Sequence, residues 1–105
     1  MATPELVTVA RLEDVPPGSV VRVEAGGEEI ALANLEGELY AVQNACLHLE
    51  GPLGEGVIDV DHYLTCPWHG WKYDVRTGKN DFDLAIQLKT YEVKVEDGQI
   101  KVAVG

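Results

Sequence analysis

The chain has 105 residues, of which 46% are hydrophobic and 25% are charged, a composition typical of one globular domain that spans 1–105. Its 18 acidic and 8 basic residues leave a formal net charge of −10, which argues against a nucleic-acid role because phosphate binding needs a basic surface. No apolar run approaches the length of a membrane span, and the first residues lack the basic and apolar regions of a signal peptide, so we expect a cytoplasmic protein without membrane contact.

Short apolar or alternating segments separated by turn residues run through the chain. β-Branched residues and alternating polarity predict strands that are bounded by Gly, Pro, Asn or Asp. In chain order, the predicted strands are 6–11, 19–25, 29–33, 38–43, 57–60, 63–65, 71–75, 87–95 and 99–104. Glu36-Gly37 and Asp97-Gly98 predict tight hairpin turns. No segment keeps a helical period for more than a turn or two, so we expect an antiparallel all-β sandwich or barrel.

Both cysteines and two of the three histidines lie in two short motifs, Cys46-x-His48 and Cys66-x-x-His69. Seventeen residues separate His48 from Cys66. Each motif offers one thiolate and one imidazole. Two sulfur and two nitrogen ligands suit either a tetrahedral zinc ion or a two-iron cluster with thiolates on one iron and imidazoles on the other.

Both motifs are predicted to lie in loops that project from the sheet. The first loop, at about 44–56, is rich in turn formers, and the second, at about 66–71, joins two predicted strands. Two such loops can hold one metal centre between them. Backbone amides that are not used in strand pairing can then donate hydrogen bonds to sulfur, which raises the reduction potential.

The two motifs and their neighbours resemble the signature of the Rieske [2Fe–2S] family, whose usual second half is similar to the segment Cys66-Pro67-Trp68-His69-Gly70-Trp71. The resemblance covers the chain from about the Glu36-Gly37 hairpin onward, and it includes Gly51, Leu53, Gly54, Asp74 and Gly78. It implies a β-sandwich or barrel with two metal-binding loops at one end. It also implies that Cys46 and Cys66 bind the inner iron, and that His48 and His69 bind the outer iron near the surface.

Three positions resemble the soluble, low-potential branch of that family. The respiratory branch has a disulfide between the cluster loops and a serine that donates to a cluster sulfide, whereas this chain has Gly51 and Trp68 in place of the disulfide and Trp71 in place of the serine. Fewer donors imply a potential towards the bottom of a range of roughly −150 to +300 mV. Tyr73 aligns with a tyrosine that donates to a cysteine sulfur in high-potential members. If its hydroxyl reaches Cys66, the potential should be somewhat higher than is usual for this branch.

A third loop is expected to cover the cluster. Other family members often have a proline there, but this chain has no proline after Pro67. The segment 80–85 would occupy the same region. We expect Phe82 or Leu84 to shield the cluster from water.

The resemblance implies an electron carrier rather than an enzyme. Rieske oxygenases add a larger domain with a mononuclear iron, and here only His62 is unassigned, which we expect to be an ordinary strand histidine. The ferredoxin component of a multicomponent dioxygenase fits best, with a flavin-dependent ferredoxin reductase and a terminal oxygenase as partners. The alternatives are the small Rieske-like subunit of an assimilatory nitrite reductase and, in another class, a structural zinc module.

Overall fold

The computed structural model describes residues 5–45, 52–68, 70–81, 83 and 85–104. Within these residues the chain forms antiparallel strands and two 3-10 turns, Leu12–Asp14 and Leu53–Glu55, which confirms the all-β prediction. The strands are β1 (Glu5–Arg11), β2 (Val20–Ala25), β3 (Glu28–Leu35), β4 (Glu38–Gln43), β5 (Val57–Ile58), β6 (Tyr63–Thr65), β7 (Lys72–Asp74), β8 (Thr90–Tyr91), β9 (Val93–Glu96) and β10 (Gln99–Val104). None of the helical turns in these ranges has the length and apolar character needed to cross a membrane.

The described strands form three sheets, with the orders β1-β10-β9, β2-β3-β4-β8 and β5-β6-β7. The four-stranded sheet contributes to two hydrophobic cores, one on each face. Ile30 and Leu32 of β3 pack with the first sheet, whereas Ala31 and Ala33 of the same strand pack with the third. Because β3 is buried on both faces, its sequence is almost continuously apolar instead of alternating. The four-stranded sheet therefore separates a supporting core from the core that contains Cys66.

Two hairpin turns have the backbone conformation that their sequences predict. Glu36 and Gly37 have φ values of 54° and 95°, and Asp97 and Gly98 have values of 50° and 75°. Two consecutive residues with positive φ are typical of type I′ turns, whose twist matches that of the flanking strands. These turns connect β3 to β4 and β9 to β10, and both predicted hairpins are confirmed.

The single strand predicted at 87–95 is wrong. Thr90 and Tyr91 of β8 pair with β4, whereas Val93 begins β9 and pairs with β10 in another sheet. The chain changes sheets at Glu92, whose carbonyl oxygen accepts a hydrogen bond of 2.9 Å from the amide of Ala103. Both strands alternate in polarity, so the sequence pattern continues across the change and does not reveal it.

The strand predicted at 57–60 ends at Ile58, because a tight turn precedes β6. In this turn Oδ1 of Asp59 accepts hydrogen bonds from the amides of Asp61 (2.9 Å) and Tyr63 (3.1 Å). His62, which we expected on a strand, lies in this turn with a φ of 72° and is half-buried. Asp59 therefore ends the strand by offering its neighbours an alternative acceptor to the sheet.

Candidate metal centre

Cys66 begins the loop that joins β6 to β7. Its amide donates a hydrogen bond of 2.7 Å to the carbonyl oxygen of Trp71, so the loop is closed at its base. Its side chain follows Leu64 on the inner face of the sheet, is 1% exposed and belongs to the core. This places a buried thiol at the start of a projecting loop, as the sequence predicts for the second motif.

The two tryptophans of this loop and Tyr73 on β7 lie in three different environments. Trp68 is 49% exposed, Trp71 is half-buried against the core, and Tyr73 is fully buried. Tyr73 pairs with Leu64 across the β6–β7 hairpin. Since Leu64 precedes Cys66 by two residues on the same face, Tyr73 and Cys66 are diagonal cross-strand neighbours, a spacing that a tyrosine side chain can bridge.

The first loop is closed by pairing between its two ends. Ala45 and Pro52 form an isolated antiparallel bridge, so the chain leaves and returns at adjacent positions. Beside this bridge, the carbonyl oxygen of Asn44 accepts a hydrogen bond of 2.8 Å from the amide of Leu53. The segment 46–51, which carries Cys46 and His48, lies outside the described residues and begins and ends at this closed base.

The two candidate ligand loops approach each other at Gly56. A Cβ atom at this position would collide with the carbonyl oxygen of Thr65, the residue before Cys66. The next residue, Val57, pairs with Thr65 in the sheet. Glycine is therefore required here by close backbone packing, and this packing brings the end of the first loop against the start of the second.

The third loop is anchored beside the second by Asn80, which is fully buried. Its amide donates to the carbonyl oxygen of Ile86 at 2.9 Å, and its Oδ1 accepts from the amide of Asp83 at 3.0 Å. Its Nδ2 donates to the carbonyl oxygen of Lys72, the first residue of β7, at 3.2 Å. The segment 80–85 therefore begins and ends next to the second loop. The predicted shielding residues Phe82 and Leu84 lie outside the described residues.

Charged groups lie at the other end of the β6–β7 hairpin. Arg76 donates to both carboxylate oxygens of Asp74, from Nε at 3.0 Å and from a terminal nitrogen at 2.9 Å. This pair holds the pKa of Asp74 below its ordinary value, chiefly through the side-chain hydrogen bond. Nearby, the ring of His62 lies edge-on to that of Tyr40, with 5.8 Å between centroids. The ring of His62 is therefore packed against an aromatic side chain of β4.

The described residues fit a metal centre at the loop end of the molecule. A thiolate buried among apolar side chains is costly without a compensating positive charge, and a bound metal supplies that charge. Cys46, His48 and His69 lie outside the described residues, and within the described part no three His, Cys, Asp or Glu side chains form a group that could hold a metal ion. The backbone nevertheless brings the two loops together, at Gly56 and Thr65.

Asn44, Gly56 and Asn80 were not predicted to have these roles from the sequence. Each holds the base of a loop through a hydrogen bond or a close backbone contact. The signal available for Asn44 is its position directly after a predicted strand and two residues before Cys46. Buried asparagines at such positions commonly satisfy loop amides.

Residues 5–92 match the family model described as the Rieske [2Fe–2S] domain. Among characterised proteins, the chain is 38% identical over 99 residues to the ferredoxin component of the naphthalene 1,2-dioxygenase/salicylate 5-hydroxylase systems of Ralstonia sp., covering 93% of this chain and 94% of the relative. All four residues proposed from the resemblance lie within the matched range.

Solved structures agree with the family match. The ferredoxin of carbazole 1,9a-dioxygenase from Nocardioides aromaticivorans has a TM-score of 0.88 at 31% identity, covering 99% of this chain and 100% of that chain. A complex of reduced oxygenase and oxidised ferredoxin in carbazole 1,9a-dioxygenase has a TM-score of 0.83 at 31% identity, covering 93% of this chain and 92% of that chain. A protein described as the small subunit of an NADPH nitrite reductase has a TM-score of 0.83 at 25% identity, covering 95% of this chain and 99% of that chain.

Proposed function

The chain belongs to the Rieske [2Fe–2S] domain family, and we propose that Cys46, His48, Cys66 and His69 hold its [2Fe–2S] cluster in a one-electron carrier. The observation that carries this proposal is the position of Cys66, buried at the start of a loop that lies against the base of the first one. We propose one domain spanning 1–105 and no catalytic activity of its own. The zinc module is not supported, because the cofactor of the family is an iron–sulfur cluster.

The bound cluster would take up and release one electron per cycle. The residues of this chain would control the surroundings of that centre. Leu53, Leu64 and Tyr73 pack in the core with Cys66 and exclude water from the thiolate side. Trp68 is half-exposed and precedes His69 in the same loop, so the surface beside the proposed outer ligands includes an aromatic side chain. Electrons would enter and leave at this end.

We propose that the partners are a terminal oxygenase and a flavin-dependent ferredoxin reductase, and that all three act in the cytoplasm. The ferredoxin components similar to this chain support the assignment, and one related ferredoxin has been solved in complex with an oxygenase. A net charge of −10 favours long-range attraction to a basic docking surface. Association should therefore weaken as salt is added.

The small subunit of an assimilatory nitrite reductase is the second candidate. It is favoured by a TM-score of 0.83 to a protein so described, although the identity is 25%. The ferredoxin components of dioxygenase systems reach a sequence identity of 38% to this chain. The presence of all four candidate ligands in this chain further favours the electron carrier.

The ligand assignment can be tested by comparing the three histidines. After expression in iron-replete medium, His48→Ala and His69→Ala should each lose the cluster, measured as visible absorption, iron and acid-labile sulfide. His62→Ala is the matched control, because its ring packs on Tyr40, and it should keep all three signals. Retention of a full cluster by either ligand variant would contradict the assignment.

A further inference from the structure

We propose that Asn44 is a positioning residue for the cluster: its side chain fixes the base of the segment 46–51, which carries Cys46 and His48. The inference rests on the ligand roles proposed above. Asn44 itself is not proposed to contact the cluster. Its role is to hold the backbone from which two ligands project.

Three hydrogen bonds to described residues hold Asn44 between the sheet and the returning end of the loop. Its amide donates to the carbonyl oxygen of Glu29 on β3 at 3.1 Å, and its carbonyl oxygen accepts from the amide of Leu53 at 2.8 Å. Its Oδ1 accepts from the amide of Gly54 at 2.7 Å. The residue is 4% exposed. The outgoing end of the loop is thus fixed to β3, and the side chain fixes the returning end to the outgoing one.

The side chain of Asn44 adds to the contact that the neighbouring backbone bridge makes. Ala45 and Pro52 face each other in this bridge, and the bond beside them runs from the amide of Leu53 to the carbonyl oxygen of Asn44. A pair of this kind does not use the amides of the two facing residues, so proline fits at position 52. The bond from the Gly54 amide to Oδ1 of Asn44 gives Asn44 a second contact with the returning end, one residue further along.

Dense packing surrounds this bond. A Cβ atom on Gly54 would lie 2.7 Å from Oδ1 of Asn44 and 2.7 Å from Cβ of Arg22 on β2. Gly54 is itself buried, so its amide has little access to water. Removing Oδ1 would leave this amide without its acceptor, and the returning end of the loop would have to move to satisfy it.

Asn34 provides a matched control. It is 2% exposed, and like Asn44 it accepts a hydrogen bond from a glycine amide, Gly37, at 2.9 Å. It also donates to the carbonyl oxygen of Val15 at 2.6 Å. These contacts join β3 to its own hairpin turn and to the segment before β2, away from the candidate ligand loops. Truncating Asn34 should destabilise the fold without moving a ligand.

The test compares Asn44→Ala and Asn34→Ala in the cluster-loaded protein. Two properties are measured: the rate of iron loss to a ferrous chelator without denaturant, and the line width of the EPR signal after dithionite reduction. Asn44→Ala should lose iron about 10-fold to 100-fold faster than the wild type, as is usual when a residue that orients a ligand is removed. Its EPR lines should broaden, because the loop adopts several positions. Asn34→Ala should match the wild type in both properties.

Asn44→Asp gives a further check, because it keeps an oxygen acceptor for the Gly54 amide. It should lose iron more slowly than Asn44→Ala. If Asn44→Ala does not accumulate as a folded protein, Asn44→Ser replaces it, with the same expectation.

Equal rates of iron loss in the Asn44 and Asn34 variants, or equal rates in Asn44→Ala and Asn44→Asp, would overturn the inference. A wild-type protein without iron and sulfide would instead overturn the proposed ligand set.

Discussion

Tyr73 pairs with Leu64 across the β6–β7 hairpin, which places its buried side chain diagonally beside Cys66. We predict that Tyr73→Phe lowers the midpoint potential, because a hydroxyl that donates to a thiolate stabilises the reduced, more negative state. If this bond favours the reduced state by about 1 kcal/mol, the loss is about 40 mV for one electron. Protein-film voltammetry provides the measurement.

Tyr63→Phe is the control for this prediction, because Tyr63 lies on the same hairpin but pairs with Asp74 and alternates to the other face. Its midpoint potential should equal that of the wild type. An unchanged potential in Tyr73→Phe would mean that the hydroxyl does not act on the cysteine sulfur.

Gly56 is predicted to be essential for bringing the candidate ligand loops together. In Gly56→Ala the new methyl group collides with the carbonyl oxygen of Thr65, so the two loops must separate. We expect less than half of the wild-type iron per chain and a loss of stability on the order of 2 kcal/mol in urea unfolding.

Gly37→Ala separates these two effects. Gly37 has a φ of 95° and open space around its Cα, so alanine introduces backbone strain far from the loops. It should lose about 1–2 kcal/mol of stability and keep its full iron content. Equal iron loss in both variants would show that general instability, and not loop separation, causes the loss.

Part of this architecture follows directly from local sequence. The Glu36-Gly37 and Asp97-Gly98 turns were predicted because few residue pairs tolerate two consecutive positive φ values. The all-β class was predicted from the alternation of polar and apolar residues and from the spacing of turn residues. The change of sheet at Glu92 could not be predicted, because the sequence pattern of an extended segment is the same whichever sheet its strands join.

The candidate site was also predictable from the sequence only in part. The family resemblance predicts a ligand role for Cys66 because its motif has a fixed spacing and distinctive neighbours. The anchoring roles of Asn44 and Asn80 depend on which backbone groups surround them after folding. His62 was expected on a strand but lies in a turn. In this turn the side chain of Asp59 accepts a hydrogen bond from the amide of Tyr63, and the alternation of polar and apolar residues does not reveal such a bond.

Trp68 is predicted to contribute to partner docking. It is 49% exposed, and large exposed aromatic side chains dominate binding energy at many interfaces. Trp68→Ala should keep the cluster spectrum and raise the KM for the carrier in electron transfer to a terminal oxygenase by about fivefold to tenfold, as for a side chain worth about 1 kcal/mol or more.

Val95→Ala is the control for docking, because Val95 is 42% exposed on β9, in a different sheet. It should leave the KM unchanged. A normal KM in Trp68→Ala would exclude this residue from the docking surface.

The ion pair between Asp74 and Arg76 is predicted to make stability depend on pH. The pKa of Asp74 is lowered by its hydrogen bonds from Arg76, so the stabilisation is present above the unfolded value of about 3.8 and is lost as pH falls through the folded value. Asp74→Asn should be less stable than the wild type at pH 7 by about 1 kcal/mol, allowing for the exposure of Arg76.

Urea unfolding of Asp74→Asn and the wild type at several pH values measures this difference. The difference should begin to shrink near pH 3.8 and approach zero only once the pH falls below the lowered pKa of the Asp74 carboxyl in the folded protein. A difference that stays constant with pH would show that Asp74 acts through packing and not through its charge.

The EPR spectrum of the dithionite-reduced wild-type protein tests the central claim most directly. A [2Fe–2S] cluster with two thiolate and two imidazole ligands should give a rhombic signal with an average g value below that of an all-cysteine cluster, together with iron and acid-labile sulfide in equal amounts. A colourless protein that contains zinc and no iron, or a signal with the average g value of an all-cysteine cluster, would contradict the assignment of Cys46, His48, Cys66 and His69.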